Sequence, residues 1–325
     1  MQTELDRSKK LKGYFSSTWP VECGGNRRQK SASGGLNARD KNATVTLHHN
    51  GLWNVMMIQR SHGELYLGGT LPAFTGTPPY GWLQRLDPNT LNVIAESPQL
   101  PCGEHVWCGA IAAHENGDIY KVNGCFMHRL DPACQISKEC RLPVDQAHNG
   151  LLILSDGTLI TKDLRLEGQG PTTVTRLEPE TLNVIGEPFL LPEGSMGRIA
   201  SDITSEGEFI YIPGTEHVWR IRVEPDNLAI DYDWKPKYRH EMGDQGLAWD
   251  GCISAQHLWL MDNGDIDSVR AIYNRHPNGR FDIPSDQLSW RRPAPWRGAQ
   301  RLLKIRLEDA HIQSVSPFAI PGGGI

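Results

Sequence analysis

The feature that most constrains this chain is an internal repeat. Self-similarity at a period of about 20 to 50 residues marks folds assembled from one supersecondary unit. The segment Gln84-Arg85-Leu86-Asp87-Pro88-Asn89-Thr90-Leu91-Asn92-Val93-Ile94 returns as Thr175-Arg176-Leu177-Glu178-Pro179-Glu180-Thr181-Leu182-Asn183-Val184-Ile185, with weaker copies beginning at Arg129, Arg222 and Arg306. The first four arginines stand 44, 47 and 46 residues apart and the last follows after 84, so one unit carries a long insertion. An acid followed by Pro and a short polar tail is turn chemistry, and the flanks are rich in strand formers, so each copy predicts two strands around a turn.

A second set of copies lies upstream: Ser61-His62-Gly63-Glu64-Leu65-Tyr66, Glu115-Asn116-Gly117-Asp118-Ile119-Tyr120, Ser155-Asp156-Gly157-Thr158-Leu159-Ile160 and Ser205-Glu206-Gly207-Glu208-Phe209-Ile210. Gly in a polar turn supplies the positive φ of a tight hairpin. Each unit therefore predicts four strands, and such units repeated around an axis make an all-β propeller. No segment sustains a 3.6-residue apolar period, so helices are not expected. Outer strands are expected at 43–47, 91–100, 134–142, 182–191, 228–234 and 311–320, six against five sets of the other three. Either five blades are visible and a further blade is missing at the C-terminus, or five blades close with an extra strand. In the first case open sheet edges predict self-association. The domain reading is an N-terminal extension, 1–45, ending in a closing strand, and one propeller domain, 46–325, with a lid-like insertion at 270–301.

The RLDPxTL turn and the SDGTL-type hairpin resemble the blades of quinoprotein-like (pyrroloquinoline quinone-repeat, YncE-like) propellers, over about residues 46 to 320. The resemblance implies the fold and, for many members, export and a bound quinone. This sequence shows no quinone-holding motif, so no quinone is expected.

Composition narrows the function classes. With 33 Lys and Arg against 38 Asp and Glu, a net charge of -5 argues against nucleic acid as a partner. No run of eighteen apolar residues and no secretory signal is visible, so neither a membrane span nor export is expected, and the reading is cytoplasmic. The seven cysteines, at 23, 102, 108, 125, 134, 140 and 252, form no CxxC pair and read as reduced thiols. There is no P-loop, HExxH or GxSxG.

In a propeller the first strand of each blade lines the channel, and its leading residues share one face with the loops joining the second and third strands. Aligned strand starts are His49-Asn50-Gly51, His105 to Gly109, His148-Asn149-Gly150, Ser195-Met196-Gly197 and Asp244-Gln245-Gly246. They predict a polar ring at one channel mouth. Imidazoles with a carboxylate suit a divalent metal ion, here His49, His105, His148 and Asp244, with Glu104 and Asp145 as outer acceptors. The catalytic assignment is His148, Asp244 and His105. The same pattern also arises where a polar residue and Gly merely shape the crossover between blades.

Second-strand ends offer Lys162-Asp163, Glu216-His217 and the acidic run from Asp262 to Asp267, the last read as a solvated turn. The 270–301 insertion carries seven arginines, among them Arg291, Arg292 and Arg301, against Asp282 and Asp286. With Trp290 and Trp296, Arg291 and Arg292 are the expected clamp for an anionic or planar small molecule. The functional expectation is a small-molecule-binding propeller enzyme using metal-assisted or acid-base chemistry, of lyase, hydrolase or oxidoreductase type. The alternative is a non-catalytic scaffold whose rim binds another protein.

Overall fold

The computed structural model describes residues 11–31, 45, 47–52, 56–71, 78–105, 109–165, 169–239, 248–262 and 300–318. Its strands form five four-stranded sheets. The first holds β1 (Met56–Gln59), β2 (Leu65–Leu71), β3 (Tyr80–Leu86) and β4 (Val93–Glu96). The second holds β5 (Ala110–Ala113), β6 (Ile119–Asn123), β7 (Phe126–Leu130) and β8 (Ile136–Arg141). The third holds β9 (His148–Ile153), β10 (Leu159–Asp163), β11 (Thr173–Leu177) and β12 (Phe189–Leu190). The fourth holds β13 (Ala200–Thr204), β14 (Gly207–Pro213), β15 (Val218–Val223) and β16 (Leu228–Ile230). The fifth holds β17 (Ala248–Ser254), β18 (His257–Asp262), β19 (Gln300–Arg306) and β20 (Ile312–Phe318). In every sheet the strands neighbour one another in chain order. Five such up-and-down sheets are the blades of a β-propeller.

Among the described residues the only helical turn is the 3-10 segment Glu22–Gly24, and no helix is long and apolar enough to cross a membrane. Residues 45 and 47 of the expected sixth outer strand are not in a strand, and 43, 44 and 46 lie outside the described residues.

By contacts the chain divides into two compact units, Met1–Pro72 with Pro79–Lys162 and Thr175–Pro188, and Ala73–Pro78 with Asp163–Val174 and Phe189–Ile325. In the first, the leading strands of successive sheets lie side by side, β1 by β5 and β5 by β9, and in the second β13 lies by β17. That adjacency is the packing of blades around an axis. Ala110 to Ala113 of β5 are all fully buried, the small side chains of Ala110, Ala112 and Ala113 admitting the neighbouring strands. The N-terminal segment pairs with the far ends of the leading strands, Trp19 with Gln59 and Val21 with Ala112, while the Ile153 amide donates to the Tyr14 hydroxyl at 2.9 Å.

The two repeated motifs have one structural purpose. In the turn after the third strand, the Asp87 carboxylate accepts the amides of Asn89 and Thr90 at 2.9 and 2.8 Å, and Leu91 takes φ +59°. Glu178 repeats this with Thr181, leaving Leu182 at φ +59°, and Cys134 and Ala310 take the same conformation in their own turns. The repeated arginine reaches back to the acid of its own sheet's first hairpin, Arg85 to Glu64 at 3.3 Å, Arg129 to Asp118 at 2.5 Å and Arg176 to Asp156. Between blades of the first unit, Tyr66 donates to the Pro132 carbonyl at 2.9 Å and Tyr120 to that of Pro179 at 3.0 Å. The hairpin motif of one blade is thus latched to the Asp-Pro or Glu-Pro turn of the next.

Candidate metal centre

Three connections of the second and third sheets meet in the first unit. His105 ends the described part of the loop entering β5, Cys125 sits in the two-residue turn Gly124-Cys125 between β6 and β7, and Asp145 lies between β8 and β9. Main-chain bonds fix the turn: the Cys125 amide donates to the Cys102 carbonyl at 3.3 Å, the Leu142 amide to the Cys125 carbonyl at 2.8 Å, and the His148 amide to the Gly124 carbonyl at 2.9 Å. Gly124 has φ +50°, and a Cβ there would lie 1.8 Å from the Cys102 carbonyl oxygen. Only glycine lets the loops close so tightly.

The ligand-type atoms of His105, Cys125 and Asp145 all lie within 4.8 Å of one another, and among the described residues this is the one such group of histidine, cysteine and carboxylate. His105 Nε2 is 3.0 Å from Asp145 Oδ1, and the Arg141 guanidinium donates to Oδ2 at 2.8 Å. Arg141 first, then the Cys125 thiol and His105, hydrogen-bond the Asp145 carboxyl and hold its pKa down to about 2. Burial first, and then Asp145, push the Cys125 thiol up. Cys125 is fully buried, whereas the Asp145 and Arg141 side chains are 62% and 59% exposed, so the group opens to solvent on one side.

This is not the order of a nucleophilic relay. In a cysteine-histidine-carboxylate relay the imidazole stands between thiol and carboxylate, and the thiol pKa is lowered. Here the carboxylate lies against both other groups and the thiol is shifted the other way. Three donors instead lie within 4.8 Å of one another, where ligand bonds of roughly 2.0–2.3 Å in a tetrahedron would set donor separations of about 3.3 to 3.8 Å. Nitrogen, sulfur and oxygen donors together suit a zinc-class ion.

His105 stands in the cluster, and Asp145, expected as an outer acceptor, stands beside it. His49 is exposed, seven residues ahead of β1, and joins no such group among the described residues. His148 is itself the first residue of β9 and fully buried, its Nδ1 2.9 Å from the Gln146 carbonyl and 3.3 Å from that of Gly124. The histidines differ in position because the aligned glycines differ: Gly109 abuts β5, Gly150 lies within β9, and Gly51 stands in a turn well before β1. Ser195 in the second unit donates to the Pro213 carbonyl at 2.6 Å. Asp244, Trp290, Arg291, Arg292 and Trp296 lie outside the described residues; the segment carrying the last four joins β18 to β19.

Of the second-strand ends, Lys162 donates to Asn149 Oδ1 at 2.8 Å, and Asp163 accepts from Arg165 at 2.5 Å. Asp262 and Arg301, read from sequence in opposite charge clusters, pair across β18 and β19 at 2.6 Å. Glu216 and His217 donate their amides to Glu193 at 2.7 and 2.9 Å. Cys125 was not expected as a ligand. Its signal was the two-residue turn, which places Asn123-Gly124-Cys125-Phe126 on the face where the leading strands begin.

No family model and no curated protein matches the sequence. Among solved structures, the chain is similar to quinohemoprotein alcohol dehydrogenase ADHIIG from Pseudomonas putida HK5, at 13% identity and TM-score 0.47, covering 79% of this chain and 41% of that one. It is similar to the Pan2 WD40 domain of Neurospora crassa, at 9% identity and TM-score 0.47, covering 79% and 63%. It is similar to the soluble aldose sugar dehydrogenase of Escherichia coli, at 11% identity and TM-score 0.41, covering 62% and 75%. At such identities and TM-scores these likenesses decide nothing about activity, and the assignment of this chain to the propeller fold rests on its own five sheets.

Proposed function

We propose that this propeller protein holds a divalent, zinc-class ion through His105, Cys125 and Asp145 and uses it as a Lewis acid on a small-molecule substrate. The observation that carries this reading is the convergence of three chemically different donors, from three separate connections, on one solvent-facing point. Three protein donors leave a tetrahedral ion one position short, which is the pattern of catalytic rather than structural zinc. Such an ion polarises a carbonyl or phosphoryl oxygen, so hydrolase or lyase chemistry fits better than redox chemistry. The chain's own groups supply the rest: His105 and Asp145 as ligands, and Arg141 to hold the Asp145 carboxylate in place.

The test is metal content after equilibration with zinc and gel filtration. The wild type is expected to retain about one ion per chain, and Cys125→Ser and His105→Ala to lose it, with His49→Ala as a control that keeps it. Retention by Cys125→Ser, or no retention by the wild type, would overturn the reading. The second outcome would favour the non-catalytic scaffold.

A further inference from the structure

The geometry points to Arg141 as the residue that selects the ligand of this centre: we infer that the metal-loaded site takes a small oxyanion, a carboxylate or phosphate group, shared between the ion and the Arg141 guanidinium. The inference rests on the metal reading above. Arg141 ends β8 at the open side of the cluster, with Nη2 on Asp145 Oδ2 at 2.8 Å, while His105 takes the other carboxylate oxygen at 3.0 Å. The Arg141 side chain also acts on the Cys125 thiol, so it borders two of the three donors. A guanidinium has five N–H donors in a planar fork, and one carboxylate contact leaves an edge for a second oxyanion.

Charge makes the same case. A bound dication requires thiolate and carboxylate as ligands, and those two charges neutralise it. Neutral His105 adds nothing, so the positive charge of Arg141 stands over the loaded centre without a counter-charge from the ligand set. A bound ion is the largest local charge in such a site and must be counted with its neighbours. A monoanion at the remaining position meets both the ion and the guanidinium, and charge-assisted, bidentate contacts are the strong ones. The exposure of Arg141 and Asp145, 59% and 62%, leaves that side open to a ligand arriving from water.

Cobalt(II) reports both steps. A cysteine-ligated cobalt ion absorbs in the visible, so stoichiometry is read first and anion binding second, by titrating acetate and, separately, inorganic phosphate into the loaded protein. The wild type is expected to take up cobalt at about one ion per chain and to show a saturable spectral shift with at least one anion. Arg141→Ala is expected to keep the cobalt and weaken that anion about tenfold or more, with Arg141→Lys in between. Stronger acetate than phosphate binding, or the reverse, identifies the oxyanion.

If cobalt binds and neither anion shifts the spectrum, or if Arg141→Ala binds anions as the wild type does, the inference fails and the metal centre stands. If Arg141→Ala melts as the wild type but no longer takes up cobalt, Arg141 only positions Asp145, and the inference fails likewise. If the wild type takes up no cobalt, the metal reading itself has failed and the inference goes with it.

Discussion

Acidifying the protein is expected to unfold it through His128. This side chain on β7 is fully buried, its ring stacks on Phe126 at 6.2 Å between centroids, and Asn123 Nδ2 lies 3.4 Å from Nδ1. Burial first, and then the Lys121 ammonium, lower its pKa from 6.5 to about 3, outweighing a hydrogen bond with the Lys121 main chain; the half-exposed Glu139 carboxylate lies 3.7 Å from Nε2. The native state therefore holds this imidazole neutral at pH values where the unfolded chain protonates it. Above pH ~6.5 the two states bind the same number of protons and nothing is lost; as pH falls from there toward about 3, stability falls by up to ~1.4 kcal/mol per unit. Between pH 7 and 4.5 the loss from this one residue is about 2 to 3 kcal/mol, a large share of a typical folding free energy. The assay is urea denaturation of the wild type and His128→Gln at both pH values. Carboxylates elsewhere titrate alike in the two proteins, so the informative quantity is the difference between their pH dependences. His128→Gln is expected to lose about 2 to 3 kcal/mol less than the wild type on acidification, whatever its stability at pH 7. Parallel pH dependences would refute the argument and show that His128 gains a proton in the native protein.

Two further substitutions test the packing. Gly124→Ala places a methyl group 1.8 Å from the Cys102 carbonyl oxygen on a residue with φ +50°, so it is expected to cost about 2 kcal/mol or more in thermal denaturation and to displace Cys125 from the metal cluster; a melting temperature within a degree of the wild type would show that the turn yields freely. Glu193→Ala in the second unit removes the acceptor of the Thr215 hydroxyl at 2.7 Å, the Glu216 and His217 amides at 2.7 and 2.9 Å, and Trp219 Nε1 at 2.7 Å. At about 1–3 kcal/mol for each of the two donors on buried residues, Thr215 and Trp219, the loss is expected to reach about 3 kcal/mol, with a shift in Trp219 emission; unchanged urea stability would mean that water replaces the carboxylate.

The repeat in the sequence determined the fold because its chemistry is local. An acid-Pro turn with a polar tail and a Gly hairpin can each be read within one unit of roughly 45 residues, and Asp87 caps its turn as that reading says, while the left-handed Leu91 and the Arg85–Glu64 pair were added by the structure. The centre was legible only as a face. That connections entering the leading strands and turns between second and third strands lie together follows from propeller topology, and it brought His105 into view; Asp145 was named only as an outer acceptor near in sequence. Which residues meet there depends on how each loop enters its strand, and an alignment on glycine cannot tell Gly109, hard against β5, from Gly150 inside β9. Only the tertiary structure separated His148, buried against main-chain carbonyls, from His105, turned toward Asp145. Only it brought in Cys125, since a thiol in a two-residue turn becomes a ligand when two distant loops close over it, and closure is a property of backbone contacts such as Gly124 against Cys102 rather than of any local pattern.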